Sequence, residues 1–320
     1  MDTKMQAVIS TAEGLRDVEL PVPVPGARDL LVRVHAVSVN PVDYKVRHGG
    51  GDKVLGWDAA GVVVAVGSEV SLFAPGDEVY YAGSIDRPGS NSQLHLVDER
   101  IVGHKPRSLD FAAAAALPLT TITAWETLFD RFRLDAGSTG TLLVLGAAGG
   151  VGSIMIQLAR ALTGLTVVGS ASRDESRKWV LDLGAHDVVG HDDLPEGVDY
   201  IFSPSTGAPG RIERFAQILR PGGAITAIDE PEGLDLLPLK AKSISFHWEL
   251  MFTRPLFQTP DMIAQHDLLD RVAGLVDAGT VRSTLTTQLS PIDAATLTRA
   301  HEMVEGGHMV GKVVVAEPLQ

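Results

Sequence analysis

The stretch LLVLGAAGGVGSIMIQLAR, Leu142 to Arg160, constrains the fold more than any other part of the chain. Leu142–Leu145 are a short apolar run bounded by glycines, which predicts a strand buried on both faces. Gly146, Gly149, Gly150 and Gly152 follow. From Ser153 onward Ile154, Met155, Leu158 and Ala161 recur at helical spacing. A buried strand, a glycine turn and a helix in that order build the nucleotide-binding corner of a doubly wound α/β fold. Gly149 lets the backbone approach a pyrophosphate, and Gly152 lets the helix pack closely on the strand. The helix start offers unpaired N–H groups and the positive end of its dipole. Ala147 stands where the first glycine of the fingerprint is usual, so the pattern is A-x-G-x-x-G. Ala147, Gly149, Gly150, Val151 and Gly152 are therefore the candidate cofactor contacts. A plain tight turn also accommodates such a string; the strand before it and the helix after it favour the cofactor site.

The sequence around this corner sets the domain plan. From Thr141 strand and helix patterns alternate, which means a parallel sheet. The strands are Leu142–Leu145, Leu165–Gly169, Asp187–Val189, Val198–Phe202, Ala224–Ile228 and, around Ser243–Phe246, a sixth. Ser172 and Glu175 read as an S-x-x-E capping box opening a helix that runs to Leu183 and stops at Gly184. Another helix, near Ile212–Leu219, ends at Pro221-Gly222-Gly223. Residues 1–121 read mostly as strands and turns: Met5–Ser10, Arg16–Leu20, the alternating Leu30, Val32, Val34 and Ala36, then Gly61–Val66 and Asp77–Tyr81. Gly49-Gly50-Gly51 reads as a loop, and Ala112–Ala116 as a helix by propensity. After Pro260 come a helix, Ile263–Asp277, and a strand, Lys312–Val315. The nucleotide domain is thus an insertion: 122–261 within a domain made of 1–121 and 262–320.

Composition removes several classes of function. The 320 residues suffice for two domains, and the net charge of −13 argues against nucleic acid or an anionic membrane as a main partner. The start MDTKMQAVIS has no apolar signal core, and no run of about 18 apolar residues is present to span a bilayer. The absence of cysteine excludes disulfides, thiolate zinc sites and a cysteine nucleophile, and fits a cytoplasmic protein.

Six motifs in fixed order then carry a resemblance: VSVNPVDYKVRHG (Val37–Gly49), LGWDAAGVVVAVG (Leu55–Gly67), PGDEVY (Pro75–Tyr80), AAALPLTTITAWETL (Ala114–Leu128), GAAGGVGS (Gly146–Ser153) and GKVVV (Gly311–Val315). With them the chain resembles the medium-chain dehydrogenase/reductase superfamily, in the branch of zinc-independent quinone oxidoreductases that includes zeta-crystallin. The resemblance implies an α/β protein: a GroES-like, partly open β-barrel catalytic domain from both chain ends, with a Rossmann domain inserted and the cofactor in the cleft between them. It also implies a homodimer through the edge of the Rossmann sheet. It places Asn40 and Asp43 against nicotinamide and substrate, Tyr44 on a loop facing the cleft, and Thr123 on the nicotinamide. Lys312 matches a lysine near the cofactor, or is a surface charge on an edge strand. Zinc alcohol dehydrogenases carry cysteine at the position of Asn40, histidine at Trp57 and cysteine near Leu119. An amide, an indole and an alkyl group do not replace the ligands that catalytic zinc needs, so no metal is expected. Asp58 matches the acidic position beside the lost histidine, with a structural or electrostatic role.

The reading that follows is an NADPH-dependent, metal-free reductase of quinones or α,β-unsaturated carbonyl compounds. Asn40, Tyr44 and solvent are the candidate donors to the developing oxyanion, and Asp43 has a positioning role because an ionised carboxylate cannot stabilise an oxyanion. Ser170, Ser172 and Arg173 occupy the strand end where an NAD-type domain has an acid, and would receive a 2′-phosphate, with Lys178 a weaker contact. The competing reading has Ser172 only capping its helix and Arg173 in solvent, with Asp174 on the ribose. A cofactor-binding protein without turnover and, less well supported, a zinc alcohol dehydrogenase are the alternatives.

Overall fold

Alternating apolar residues fill the first hundred positions, and there the chain is built of strands. In the computed structural model, which describes residues 3–317, the chain forms two compact units. One joins the residues up to Ile122 with those from Phe252 onward; the other is Thr123–Met251. The second crossing therefore lies at 251/252, earlier than the expected 261/262. Pro260 suggested the break, but Phe252 is already buried and packs edge-on against Trp57 with ring centroids 6.3 Å apart.

The first unit begins with β1 (Lys4–Thr11), β2 (Gly14–Pro21), β3 (Asp29–Ser38), helix α1 (Pro41–His48), β4 (Lys53–Val54), β5 (Ala59–Val66), β6 (Glu78–Tyr81), β7 (Leu94–Asp98), β8 (Val102–His104), α2 (Phe111–Ala115) and α3 (Pro118–Trp125). Helix α1 replaces the expected loop at Tyr44. Asn40 caps it, Pro41 fills the first turn, and the Asp43 carboxylate accepts the Asn40 N–H at 2.7 Å.

The second unit follows with β9 (Thr141–Val144), α4 (Gly150–Leu162), β10 (Thr166–Ser170), α5 (Asp174–Asp182), β11 (Asp187–Val189), β12 (Val198–Ser203), α6 (Arg211–Ile218), β13 (Leu219–Ala227) and β14 (Ser245–Trp248). They form the expected parallel sheet of six strands, in the order β11-β10-β9-β12-β13-β14. Its core joins Leu143, Val168, Ile201, Phe215 and Ile225. Strand β13 starts at Leu219, before the Pro-Gly-Gly expected to separate helix from strand; Gly222 at φ 77° and a register shift on β12 absorb those residues. Between α3 and β9 the backbone takes a π-helical turn, Glu126–Arg131. Here Glu249 is buried, accepts from Arg131 Nε at 2.8 Å and lies against Glu126. Burial and the neighbouring Glu126 push its carboxyl up to about 9, against the pull of Arg131.

The chain returns to the first unit with α7 (Thr253–Phe257), α8 (Ala264–Asp277), β15 (Leu285–Leu289), α9 (Ala294–Glu305) and β16 (Lys312–Ala316). Helix α9 was not anticipated; Asp293 caps it by accepting the Thr296 N–H at 2.7 Å. Strand β16 pairs antiparallel with β3 and completes a seven-stranded sheet, β15-β16-β3-β5-β6-β8 with β7 on β3. Leu30, Val32, Val34, Val63, Val97, Leu297, Val313 and Val315 fill its core. This unit is the GroES-like domain and the other the Rossmann domain. Among the described residues no helix is long and apolar enough to cross a membrane.

Candidate active site

The glycine corner has the geometry its sequence demands. Strand β9 is buried at Leu142, Leu143 and Val144, so the turn after it is fixed at its base. A Cβ on Gly152 would sit 2.6 Å from the Gly146 carbonyl oxygen and 2.7 Å from Ala147 Cα, both backbone atoms that cannot move aside. Gly152 therefore lets α4 lie against the turn. At Gly149, the N-cap of α4, a Cβ would meet only the Gly146 oxygen, at 3.3 Å. Its remaining side is open. Ala147 is buried and its methyl faces Gly169, where an added Cβ would lie 2.9 Å from it. The Gly149 N–H is taken by the Gly146 carbonyl at 3.0 Å, while the half-buried Gly150 and Val151 begin the first turn of α4, whose amides have no carbonyl within the helix to meet. This arrangement fits a dinucleotide pyrophosphate.

The end of β10 differs in part from expectation. Ser170 is buried, and its hydroxyl accepts the Gly146 N–H at 3.3 Å and lies 3.3 Å from His191 Nδ1. It secures the turn and is not exposed to a phosphate. Ser172 is not the helix cap: Arg173 holds that position, and Ser176 Oγ accepts its N–H at 3.2 Å and donates to its carbonyl at 2.9 Å. Ser172 and Arg173 are both exposed. Asp174 and Glu175 occupy the first turn of α5, while Lys178 is paired with Asp182. Arg177 is tied to the Ala171 and Val188 carbonyls. His191, beside Ser170, escaped the sequence reading because it follows a different strand, β11. Thr123, at the start of the second unit within α3, is buried.

In the first unit Asn40, Asp43 and Lys312 come together with Asp58 in one buried cluster. Asn40 Nδ2 donates to Asp58 Oδ2 at 2.8 Å and also faces the carbonyls of Ser38 and Trp57, at 3.4 and 3.5 Å. The other Asp58 oxygen accepts the Leu119 N–H at 2.7 Å. Lys312 Nζ lies 3.2 Å from Asp58 Oδ2, donates to the Val39 carbonyl at 3.0 Å, and donates to Asn40 Oδ1. Burial pushes the Asp58 carboxyl up and the Lys312 ammonium down, while their mutual attraction opposes both shifts. Burial likewise raises Asp43 to about 7, held back by the Asn40 amide and the Lys312 charge.

The amide hydrogens of Asn40 thus face acceptors within the cluster. Lys312 is 4% exposed and its ammonium meets three oxygen acceptors, so it is not a surface charge. Tyr44, one position beyond Asp43 on α1, is half-buried, and no hydrogen bond to its hydroxyl is found among the described residues. Zinc does not fit this cluster. Asn40, Trp57 and Leu119 bring no thiolate, imidazole or carboxylate, the Trp57 indole is fixed to the Ser84 carbonyl at 3.1 Å, and an ammonium stands beside the carboxylate. Among the described residues no group of three or more His, Asp or Glu is placed to hold a metal.

Comparison with known proteins adds the following. The sequence matches the alcohol dehydrogenase GroES-like domain over residues 26–107 and a model described as zinc-binding dehydrogenase over 178–315. It is 41% identical over 308 residues, 92% of each chain, to a zinc-type alcohol dehydrogenase-like protein of Staphylococcus aureus (strain COL). It is 32% identical over 304 residues, 89% of this chain and 71% of the other, to an NADPH-dependent alkenal/one oxidoreductase, chloroplastic, of Arabidopsis thaliana. The crystal structure of a Rhizobium etli CFN 42 protein, whose name includes the words zinc-dependent alcohol dehydrogenase, superposes with a TM-score of 0.94 at 48% identity over 100% of both chains. The quinone oxidoreductase from Coxiella burnetii superposes with a TM-score of 0.81 at 25% identity, over 98% of this chain and 99% of that one.

Proposed function

Because the chain belongs to the medium-chain dehydrogenase/reductase superfamily, we propose that it is an NADPH-dependent, metal-free reductase of quinones or α,β-unsaturated carbonyl compounds. The observation that carries this reading is the closed cluster of Asn40, Asp58 and Lys312, in which Asn40 stands at a metal-ligand position and is tied to a carboxylate and an ammonium instead of zinc. In zinc alcohol dehydrogenases the metal lowers the pKa of the alcohol hydroxyl, and these positions offer no such ion a site. A quinone or enone needs only a hydride and a hydrogen bond to the oxygen that gains charge. Relatives named for alkenal/one and quinone substrates point the same way.

The residues would divide the work as follows. Gly150, Val151 and Gly152 receive the pyrophosphate on the amides of α4, with the bare Gly149 letting it approach, and Ser172 and Arg173 receive the 2′-phosphate. Bound NADPH supplies the hydride. Tyr44 presents the hydroxyl that donates to the substrate oxygen, and Asp43 holds the start of α1 that carries it. The free edge of the Rossmann sheet at β14, with Trp248 51% exposed, is where we place a homodimer contact, which the solution mass by light scattering checks.

Purified protein tested across quinones, enones and simple alcohols should oxidise NADPH with the first two and leave alcohols nearly untouched. Faster turnover of an alcohol with NAD than of any quinone or enone would sink the reading. For the cofactor, Arg173→Ala should weaken NADPH roughly ten- to hundredfold, the loss of a charge-assisted hydrogen bond, and leave NADH unchanged. An equal effect on both cofactors would show that this loop does not read the phosphate.

A further inference from the structure

We propose that Lys312 is the protein's own substitute for a metal ion, an internal cation that closes the Asn40–Asp58 site against zinc and acts as the positioning residue for α1. This rests on the reductase reading only for the part that concerns catalysis.

The cluster is saturated without any added ion. An ammonium has three hydrogens, and Lys312 meets three oxygens: the Val39 carbonyl, the Asn40 side-chain oxygen and Asp58 Oδ2. The Asn40 amide bridges ammonium and carboxylate, donating to the same Asp58 oxygen that Lys312 faces. The second Asp58 oxygen is held by the Leu119 N–H. Asp58 is 0% exposed and Lys312 4%, so water cannot screen either charge. A buried carboxylate needs a cation or a proton. Here the cation is covalently part of the chain, and a divalent ion brought to Asp58 would meet a like charge in a low-dielectric site.

The same contacts determine where α1 begins. Asn40 and Asp43 form the capping box that opens the helix, and the same Asn40 side chain reaches back to Lys312 and Asp58. Lys312 also grips the Val39 carbonyl, immediately before the cap. The ammonium thus fixes two successive residues at the entry to the helix that presents Tyr44, without needing to touch substrate itself.

The test is a charge cycle on the full-length protein. Lys312→Met keeps the length of the side chain and removes its charge, leaving Asp58 buried without a cation. Its melting temperature should fall on the order of 10 °C, and kcat should fall at least tenfold with the KM for NADPH unchanged, because α1 is displaced while the cofactor corner is not. Lys312→Met combined with Asp58→Asn removes both charges and should recover most of the melting temperature. After dialysis against zinc sulfate and mild chelation, wild-type protein should hold less than about one-tenth zinc per chain. If Lys312→Met is insoluble, the double variant and the metal content decide. Stoichiometric zinc in the wild type, or a double variant no more stable than the single one, would overturn the proposal. Metal content and melting need no substrate, so they stand or fall independently of the quinone and enone assay.

Discussion

The glycine corner allows two neighbouring substitutions with opposite signatures. In Gly152→Ala the new methyl must clear three backbone atoms, the Gly146 oxygen at 2.6 Å, Ala147 Cα at 2.7 Å and the Ala147 oxygen at 2.8 Å. Ordinary contact requires α4 to withdraw by about 0.8 Å from the turn. That helix packs Ile154, Met155, Ile156 and Leu158 at 0% exposure, so the shift opens contacts along its length. Overpacking of this kind costs about 1–3 kcal/mol, partly offset by up to ~1 kcal/mol from the better helix propensity of alanine. The net, about 1–2 kcal/mol, corresponds to a melting temperature lowered by roughly 2–8 °C in a chain of this size. Gly149→Ala behaves differently. Its φ of −73° suits any residue, and the one close neighbour, at 3.3 Å, needs to give by only a tenth or so. Its melting temperature without cofactor should stay within about 1 °C of wild type, since an unstrained surface substitution rarely exceeds ±0.5 kcal/mol. Its methyl stands on the open side of the turn, and NADPH affinity should fall more than tenfold. Thermal unfolding followed by circular dichroism and titration calorimetry with NADPH separate the two. A Gly152→Ala protein as stable as wild type, or a Gly149→Ala protein that binds NADPH equally well, would refute this account of the corner.

Three further outcomes follow from side chains already described. Tyr44→Phe should lower kcat for quinone or enone by roughly tenfold or more with the KM for NADPH unchanged; an unaltered kcat would remove Tyr44 from the chemistry. Asp43 has its folded pKa raised from 3.8 to about 7, so its contribution is complete below pH 3.8 and is lost as pH rises through 7, by up to about 4 kcal/mol. Asp43→Asn should flatten that part of the stability profile in urea unfolding, and an equally steep decline would clear the carboxyl of responsibility. Glu249, raised from 4.5 to about 9, has the same sign over a higher window. Glu249→Gln should gain stability relative to wild type between pH 5 and 9, a trend that urea midpoints at the two ends would expose or deny.

What could be read from the sequence was what local chain determines. The turn from Leu142 to Gly152 lies within one strand, one turn and one helix, and its glycines act on atoms a few residues away. The sheet of the second unit was legible for the same reason, apart from the misplaced cap at Ser172 and the strand that begins before Pro221. Helix α1 had signals in Asn40, Pro41 and Asp43, but the motif match with a loop obscured them. The roles of Asn40 and Lys312 were not legible in this way. Residue type made Asn40 a plausible donor, and only the fold shows its amide hydrogens on Asp58, 18 positions away, and its oxygen on Lys312, 272 positions away. Lys312 stands on β16, in a run of valines that reads as an ordinary strand, and nothing local shows that the ammonium turns inward.

The pairing of β16 with β3 also bears on the order in which the protein can assemble during synthesis. The second unit is one continuous stretch of chain and has all its strands once Trp248 has left the ribosome. The first unit by then has β3 and Asp58 but neither the neighbouring strand nor the cation. A growing chain buries a carboxylate only with a cation or a proton, and the cation that meets Asp58 in the finished sheet comes only with Lys312. The unit that starts first is therefore finished last, and the inserted unit matures between its halves. The final strand works as a latch: docking it zips the sheet edge and, in the same step, delivers the cation that Asp58 meets.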